Sequence, residues 1–333
     1  MEKQSTTTRH QRPLGGDTAR STRSTVTLDL TDQILSNGVA VQTLALPRKP
    51  KWIRAKLPSG PGFELMRARM QEHGLHTVCQ EASCPNIGDC WARVTATIMI
   101  LGDTCTRSCD FCNVRTGKPA PPDPNEPDNV GKSIALMKLR HIVITCVDRD
   151  DLADGGANHW AQTIRAVRKY APNTSIEALI GDFKGDVQSL RTVIEAKPDI
   201  LSHNLETVPR MHRAVRPQAR YNRSMEVLMR IRDARIVSKT SIMVGIGETD
   251  EEVLTMLADI RSCAQTQIIT IGQYLQPSRN HLPVDRWVHP DQFAIFKEKG
   301  LQLGFRVVES GPMVRSSFHA EEQILKLESL EQI

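Results

Sequence analysis

The chain reads as an α/β protein built on an incomplete (β/α)6 TIM-like barrel with N- and C-terminal extensions. Three observations predict this. Short apolar segments alternate with amphipathic helical stretches through most of the sequence, which implies βαβ units, right-handed crossovers and a parallel sheet. Polar residues follow the predicted strands at four places, as at the carboxyl edge of a parallel sheet where ligands gather. The length of 333 residues suits one barrel-sized unit of roughly 250 residues plus appendages.

In chain order, residues 1–50 are rich in Ser, Thr and Arg without a sustained apolar period, and are expected to stay disordered unless docked. Their Arg-rich, acid-poor opening has some character of an organelle transit peptide, against which Glu2 and Asp17 count. Residues 51–94 contain a predicted helix over Phe63–His73 and lead into a first group of cysteines. The barrel is predicted over 95–312. Its first strand, Thr95–Gly102, delivers the chain into a second group of cysteines, and a proline-rich loop follows at Lys118–Pro127. Further strands are predicted at His141–Val147, Ser175–Gly181, Ile200–Leu205, Ser238–Gly245 and Gln267–Leu275, each followed by a helical stretch. Residues 313–333 form a C-terminal segment.

At the strand ends stand Asp148-Arg-Asp-Asp151 with Gly155 and Gly156, His203-Asn-Leu-Glu206, Gly245-Ile-Gly-Glu-Thr249 and Gln273-Tyr-Leu-Gln276. Four such clusters predict one shared mouth. A formal charge of +5, part of it within the first 56 residues, is too mild to indicate nucleic acid but suits a partner with an acidic surface. No apolar run approaches the roughly 20 residues that cross a bilayer, and a secretory signal core is missing. The expectation is a soluble, cytoplasmic protein without a membrane partner, or an organellar one if the opening is a transit peptide.

Six of the eight cysteines fall between Cys79 and Cys112. In a reducing compartment such clustering favours metal over disulfides. Cys105, Cys109 and Cys112 form C-x3-C-x2-C directly after a strand, where three thiolates can converge on one [4Fe–4S] cluster and leave its fourth iron open. An open iron can chelate S-adenosylmethionine and pass an electron to its sulfonium, chemistry that belongs to the cofactor while the protein positions it. This spacing, and its place after the first barrel strand, resemble the radical S-adenosylmethionine superfamily. The alternative is a zinc knuckle completed by His76 or His141, neither of which has the local spacing. Cys79, Cys84 and Cys90 form a second triad, C-x4-C-x5-C, for which packed or disulfide-linked thiols are the competing reading. Two incomplete sets suggest two clusters.

The stretch Thr77–Trp91 with its three cysteines, then Ala96–Cys112, resembles the lipoyl synthases. So do Val147-Asp-Arg-Asp-Asp-Leu152, His203-Asn-Leu-Glu-Thr207, Met243-Val-Gly-Ile-Gly-Glu-Thr249, Ile271-Gly-Gln-Tyr-Leu-Gln-Pro-Ser278 and Arg315-Ser-Ser-Phe-His-Ala320. The likeness runs in order over approximately residues 55–320. It implies radical-mediated insertion of two sulfur atoms, at C6 and C8 of an octanoyl group on a lysine of a lipoyl carrier domain. Cys105, Cys109 and Cys112 are then the cluster that cleaves S-adenosylmethionine. Cys79, Cys84 and Cys90 hold an auxiliary [4Fe–4S] cluster that is consumed as the sulfur source, with Ser317, or its neighbour Ser316, as fourth ligand. A hard alkoxide on a soft iron site should be easily displaced.

The implied partners are octanoylated carriers, namely E2 subunits of 2-oxoacid dehydrogenases and the glycine cleavage H protein, with an electron donor and an iron–sulfur carrier. For the nucleotide, Arg149, Asn204 and Glu206 are expected at its methionine and ribose ends, Gly245 and Gly247 where backbone approaches closely, and Tyr274 or Leu275 on the adenine side. His203 and His319 are expected to be structural. Phe318 stands where Tyr is usual, Cys146 where a small residue such as Ser is common and Ser108 where Gly is frequent. Cys146 is expected to be a buried spectator and Cys263 a core residue. A different radical S-adenosylmethionine sulfurtransferase would place its additional cysteines elsewhere. A non-catalytic iron–sulfur carrier would not need the strand-end residues.

Overall fold

A computed structural model describes residues 49–331 apart from His73, Val94 and Ala96, so the expectation for residues 1–48 lies outside the described residues. Among the described residues the strands are β1 (His76–Thr77), β2 (Thr97–Ile100), β3 (Thr104–Cys105), β4 (Arg115–Thr116), β5 (His141–Cys146), β6 (Ser175–Leu179), β7 (Ile200–Ser202), β8 (Val237–Val244), β9 (Ile268–Gln273) and β10 (Val307–Gly311). Eight form one sheet in the order β1-β2-β5-β6-β7-β8-β9-β10, every pairing parallel except β1 with β2. β3 and β4 make a separate parallel pair.

All six predicted strands are present, each ending one to three residues earlier than expected. A seventh parallel strand, β10, was not anticipated. Its apolar run is only Val307-Val308, between Arg306 and Glu309, too short to stand out as a strand. The predicted helix over Phe63–His73 forms as Pro61–Glu72, and the proline-rich loop yields to a helix at Glu126, with Pro127 in its first turn where no N–H is needed. None of the described helices is long and apolar enough to cross a membrane.

The period-2 alternation of the strands separates two environments. Ile98, Ile100, Ile142, Ile144, Ile176, Ala178, Leu201, Ile269, Ile271 and Val308 are buried in one large core with Ile134, Trp160, Ile164, Val193, Leu228, Leu257 and Phe296 from the crossover helices. Their neighbours Thr97, Met99, His141, Val143, Thr145, Leu179, Ser241, Met243 and Gly272 line a cavity instead. At the N-terminal end of the sheet, Leu327 of the helix Ala320–Glu331 packs on Ile200, Ile268 and Val307, the first residues of β7, β9 and β10. The last helix therefore closes that end.

Between this plug and the cavity lies a buried ion pair. Lys239 Nζ donates to Glu177 Oε2 at 2.9 Å and the Ser202 hydroxyl to Oε1 at 2.8 Å, with His141 Nε2 3.7 Å from the same carboxylate. Burial pushes the Glu177 pKa up, but the Lys239 charge and the hydrogen bonds outweigh it and bring it from 4.5 to about 2. A group depressed in this way contributes stability above its unfolded value and loses it as the pH falls towards its folded one. Melting temperature should therefore drop between about pH 5 and pH 2 in part through Glu177. Glu177→Gln should weaken that dependence and destabilise the protein by about 3 kcal/mol at neutral pH, since Lys239 is left buried without a counter-charge. Thermal melts of both proteins across pH provide the check.

Candidate active site

The loop after β2 carries Cys105, Cys109 and Cys112, and it is held by its own short secondary structure. Cys105 lies on β3, paired to β4, and its carbonyl accepts from Gly117 N at 2.9 Å. Cys112 N closes a turn on Cys109 O, and His281 Nε2 donates to the Cys112 carbonyl. The Cys105 thiol accepts from the amides of Arg107 and Asp148 at 3.4 and 3.3 Å. Ser108 does not have a positive φ, and its hydroxyl accepts from Gln218, so its replacement of Gly is accommodated.

Arg107 fastens this loop to the sheet. Its side chain is 1% exposed and makes a bidentate pair with Asp150, a 2.6 Å bond to Asp182 and a 3.6 Å contact with Asp148. Burial pushes Asp182 up, but the Arg107 hydrogen bond and charge bring it down to about 2, whereas for Asp148 burial prevails and its pKa is raised. Thr106 completes the anchor, its amide and hydroxyl donating to the Asp148 carbonyl while its oxygen accepts from Asp150 N.

The second triad is assembled by two short helices, Val78–Glu81 with Cys79 and Ile87–Ala92 with Cys90, and Cys84 lies between them. Thr77 caps the first by accepting from Gln80 N. The C-terminal segment lies against this triad and β9. Asn86 Nδ2 donates to the Met313 carbonyl at 2.7 Å, and His319 bonds to Asp89 and Arg93. A Cβ on Gly272 would meet the Val314 carbonyl at 2.0 Å, so only glycine lets the segment lie so close to β9. Thr97, the first residue of β2, touches both parts. Its backbone hydrogen-bonds the Cys79 thiol, and its hydroxyl donates to Ser317 Oγ at 2.7 Å.

Both triads and Ser317 line one cavity of about 520 Å³. Its mouth takes Asn204 and Glu206 from the loop after β7, and Gln273, Tyr274, Leu275 and Gln276 from the end of β9. Glu206 has φ of +68°, a strained conformation for a non-glycine residue, held by its amide to Ser241 O and its carbonyl from Met243 N. Burial raises its pKa against the opposing charge of Arg216 and a 3.0 Å hydrogen bond from Asn204 Nδ2. Asn204 Oδ1, His203 Nε2 and Arg216 Nε have no protein partner although buried, and all three residues line the cavity. His203 is fixed by Nδ1 donating to the Ile180 carbonyl, and burial lowers its pKa to about 4, so the ring stays neutral with Nε2 as acceptor.

Three expected nucleotide contacts are not brought to the cavity lining. Arg149 is 2% exposed and spends its guanidinium on Asp151 and the carbonyls of Leu101 and Ala120, tying the end of β2 to the proline-rich loop. Gly245 has φ of +89°, and its close neighbours are Gln273 and the Arg286 carbonyl, the protein itself. Gly247, at φ of +122°, faces Met211. The Tyr274 hydroxyl is already bonded to the Leu282 carbonyl, so its ring alone is presented. Cys146 lines the cavity with its sulfur accepting from Trp160 Nε1 at 3.2 Å. Cys263, expected in the core, is exposed, because it falls in a π-turn, Ile260–Ala264, at the end of a helix. Arg216 was missed. It follows a helical turn rather than a strand, and no local pattern in the sequence marks it as part of the mouth.

The residues present fit iron–sulfur clusters. All eight cysteines are free, which removes the disulfide reading. The six clustered thiols all line one cavity, and the thiols of a four-iron cluster bind different irons rather than converging on a single ion. Burial pushes Cys79 and Cys112 up to about 11, Cys90 and Cys109 to about 12, and Cys105 upward. Thiols so placed become thiolates when a cationic metal site compensates them.

Comparison with known proteins agrees with this geometry. Residues 99–260 match the radical SAM superfamily model and residues 23–84 the model of the N-terminal domain of lipoyl synthase. The lipoyl synthase of Rubrobacter xylanophilus is 52% identical over 83% of this chain and 86% of its own length. The mitochondrial lipoyl synthase of Nematostella vectensis is 51% identical over 83% and 95%. Among solved structures, Streptococcus suis SuiB bound to S-adenosylmethionine superposes with a TM-score of 0.52 at 8% identity, covering 74% of this chain and 54% of that one, which supports the fold alone. The chain belongs to the lipoyl synthase family of radical SAM enzymes.

Proposed function

We propose that Cys105, Cys109 and Cys112 hold the cluster that binds S-adenosylmethionine, and that Cys79, Cys84 and Cys90 with Ser317 hold an auxiliary cluster used as the sulfur source. The observation that carries this reading is the single cavity lined by both triads, with Ser317 bonded to the same Thr97 that touches Cys79. When bound, these groups supply the electron that splits the sulfonium and the sulfide that joins the substrate.

The chain's own residues arrange the two ends and the space between. Glu206 offers a carboxylate to an ammonium group, and Arg216 offers its free Nε–H to a carboxylate, which together match the charged ends of a methionine moiety. Asn204 Oδ1 adds an acceptor beside them, and the Tyr274 ring a flat apolar face. Met99, Val143, Leu179 and Met243 form walls that fit an aliphatic chain and exclude water. The substrates are octanoyl-lysyl carrier domains, of E2 subunits and of the glycine cleavage H protein. An electron donor and an iron–sulfur carrier are required from outside. An iron–sulfur carrier without catalysis would have no use for the buried polar atoms at the mouth.

Anaerobically reconstituted enzyme should hold about eight irons in two four-iron clusters. Incubation with an octanoylated carrier peptide, reductant and S-adenosylmethionine should give a peptide carrying two added sulfurs by mass spectrometry. Cofactor cleavage without any thiolated peptide would refute sulfur insertion. Ser317→Ala should retain cofactor cleavage and lose the doubly thiolated product. Arg107→Gln should cost about 3–5 kcal/mol, because Asp182 is left buried with its charge weakly opposed, and should drop iron content towards four as the radical loop loosens. Denaturation curves and iron analysis test this together.

A further inference from the structure

Thr97 has no role in the reading above beyond contact, yet its position is distinctive. It is 6% exposed, sits 220 residues from Ser317 in sequence, and donates to Ser317 Oγ at 2.7 Å while its backbone meets the Cys79 thiol. The segment around Ser317 does not need this bond to stay in place. It is already held by Asn86 on the Met313 carbonyl, by Val314 against Gly272, by Gln323 Nε2 on the Phe318 carbonyl and by His319 on Asp89. The Thr97 hydroxyl is therefore free to act on the serine oxygen itself.

Resting on the assignment of Ser317 as an iron ligand, we infer that Thr97 is a positioning residue that sets how readily Ser317 lets go of its iron. A serine oxygen bound to iron has lost its proton and can only accept, so across this 2.7 Å contact Thr97 is then the donor. A hydrogen bond to a charged oxygen draws electron density from it and weakens it as a ligand. The donor lies on β2, whose backbone is fixed by pairing with β1 and β5, so the bond is present before any substrate arrives. An oxygen made a poorer ligand leaves more easily when the cluster must open.

The test compares the full-length reconstituted enzyme with Thr97→Val, which keeps shape and removes the hydroxyl, and Thr97→Ser, which restores it. Iron release to the ferrous chelator bathophenanthroline is followed anaerobically without S-adenosylmethionine, alongside 57Fe Mössbauer spectra. Thr97→Val should keep its full iron complement, show a changed spectrum for the oxygen-bound iron, and release that iron more slowly, on the order of tenfold. Thr97→Ser should match the parent. Equal or faster release from Thr97→Val overturns the inference, and so does loss of four irons from Thr97→Val alone, since that makes the hydroxyl an assembly requirement. Ser317→Ala separates the two levels: if its spectrum and release match the parent, the serine is not a ligand and both ideas fail. If Ser317→Ala changes them while Thr97→Val does not, only the role of Thr97 is lost.

Discussion

Burial of a thiol removes the hydration that its thiolate needs, and around this cavity that cost falls on residues standing side by side. Cys79 and Cys84 each raise the pKa of Cys90, and Cys105 and Cys112 each raise that of Cys109, so deprotonating one thiol makes the next harder. Only positive charge resolves this. Arg107 is consumed by Asp150 and Asp182 and one nitrogen of Arg216 by the Asn204 carbonyl, while Arg93 and the buried Arg315 also line the cavity, yet burial still prevails for Cys90 and Cys109. Thiols raised in this way are protonated at neutral pH, so loading them with metal must release protons.

If each triad holds a cluster, as proposed, the same constraint bears on their placement at opposite ends of one strand. Four residues of β2, at about 3.3 Å each, separate Thr97 from the loop that begins after Ile100 by roughly 10 Å. Two anionic clusters brought closer would repel within a low-dielectric cavity. On the proposed assignment, the walls at Met99 and Val143 leave room along β2 for an aliphatic chain between the two triads. The strand acts as a spacer, and its outward residues, Ile98 and Ile100, are fully buried against the helices so that it does not shift.

The parts legible in the sequence were those with local signatures. Strand alternation produced all six expected strands because each is an apolar run bounded by loops, and the cysteine spacings survive as triads because each triad occupies a single short segment. Residues whose role depends on distant partners were not legible. Arg149 lies two positions from Asp151 in a strand-end cluster, yet its other partners, Leu101 and Ala120, turn it away from the cavity. Gly245 does need a positive φ, as expected of a glycine in a turn, but the atoms that approach it come from Gln273 and Arg286. β10 was hidden because its apolar run is only two residues long, Val307-Val308, and is followed by Glu309, which bonds to Lys326 of the last helix.

The placement of Ser317 has a consequence for assembly. The auxiliary triad is formed by residues 79–90, near the start of the described chain, but its serine arrives only when the last segment crosses β9 at Gly272 and the final helix seats Leu327 in the end of the barrel. Three of the bonds that hold Ser317 and its neighbours, from Thr97 directly and through Asn86 and Asp89, span more than 200 positions. Contacts of such separation form late, after β2 has paired with β5 and the sheet exists to receive them. The three cysteines come from one short segment, whereas the serine joins them only where the C-terminal segment lies on β9. On the proposed assignment, a serine ligand carried by the C-terminal segment is one that local loosening of that segment can withdraw without disturbing the cysteines, which suits an iron site that has to be opened during the reaction.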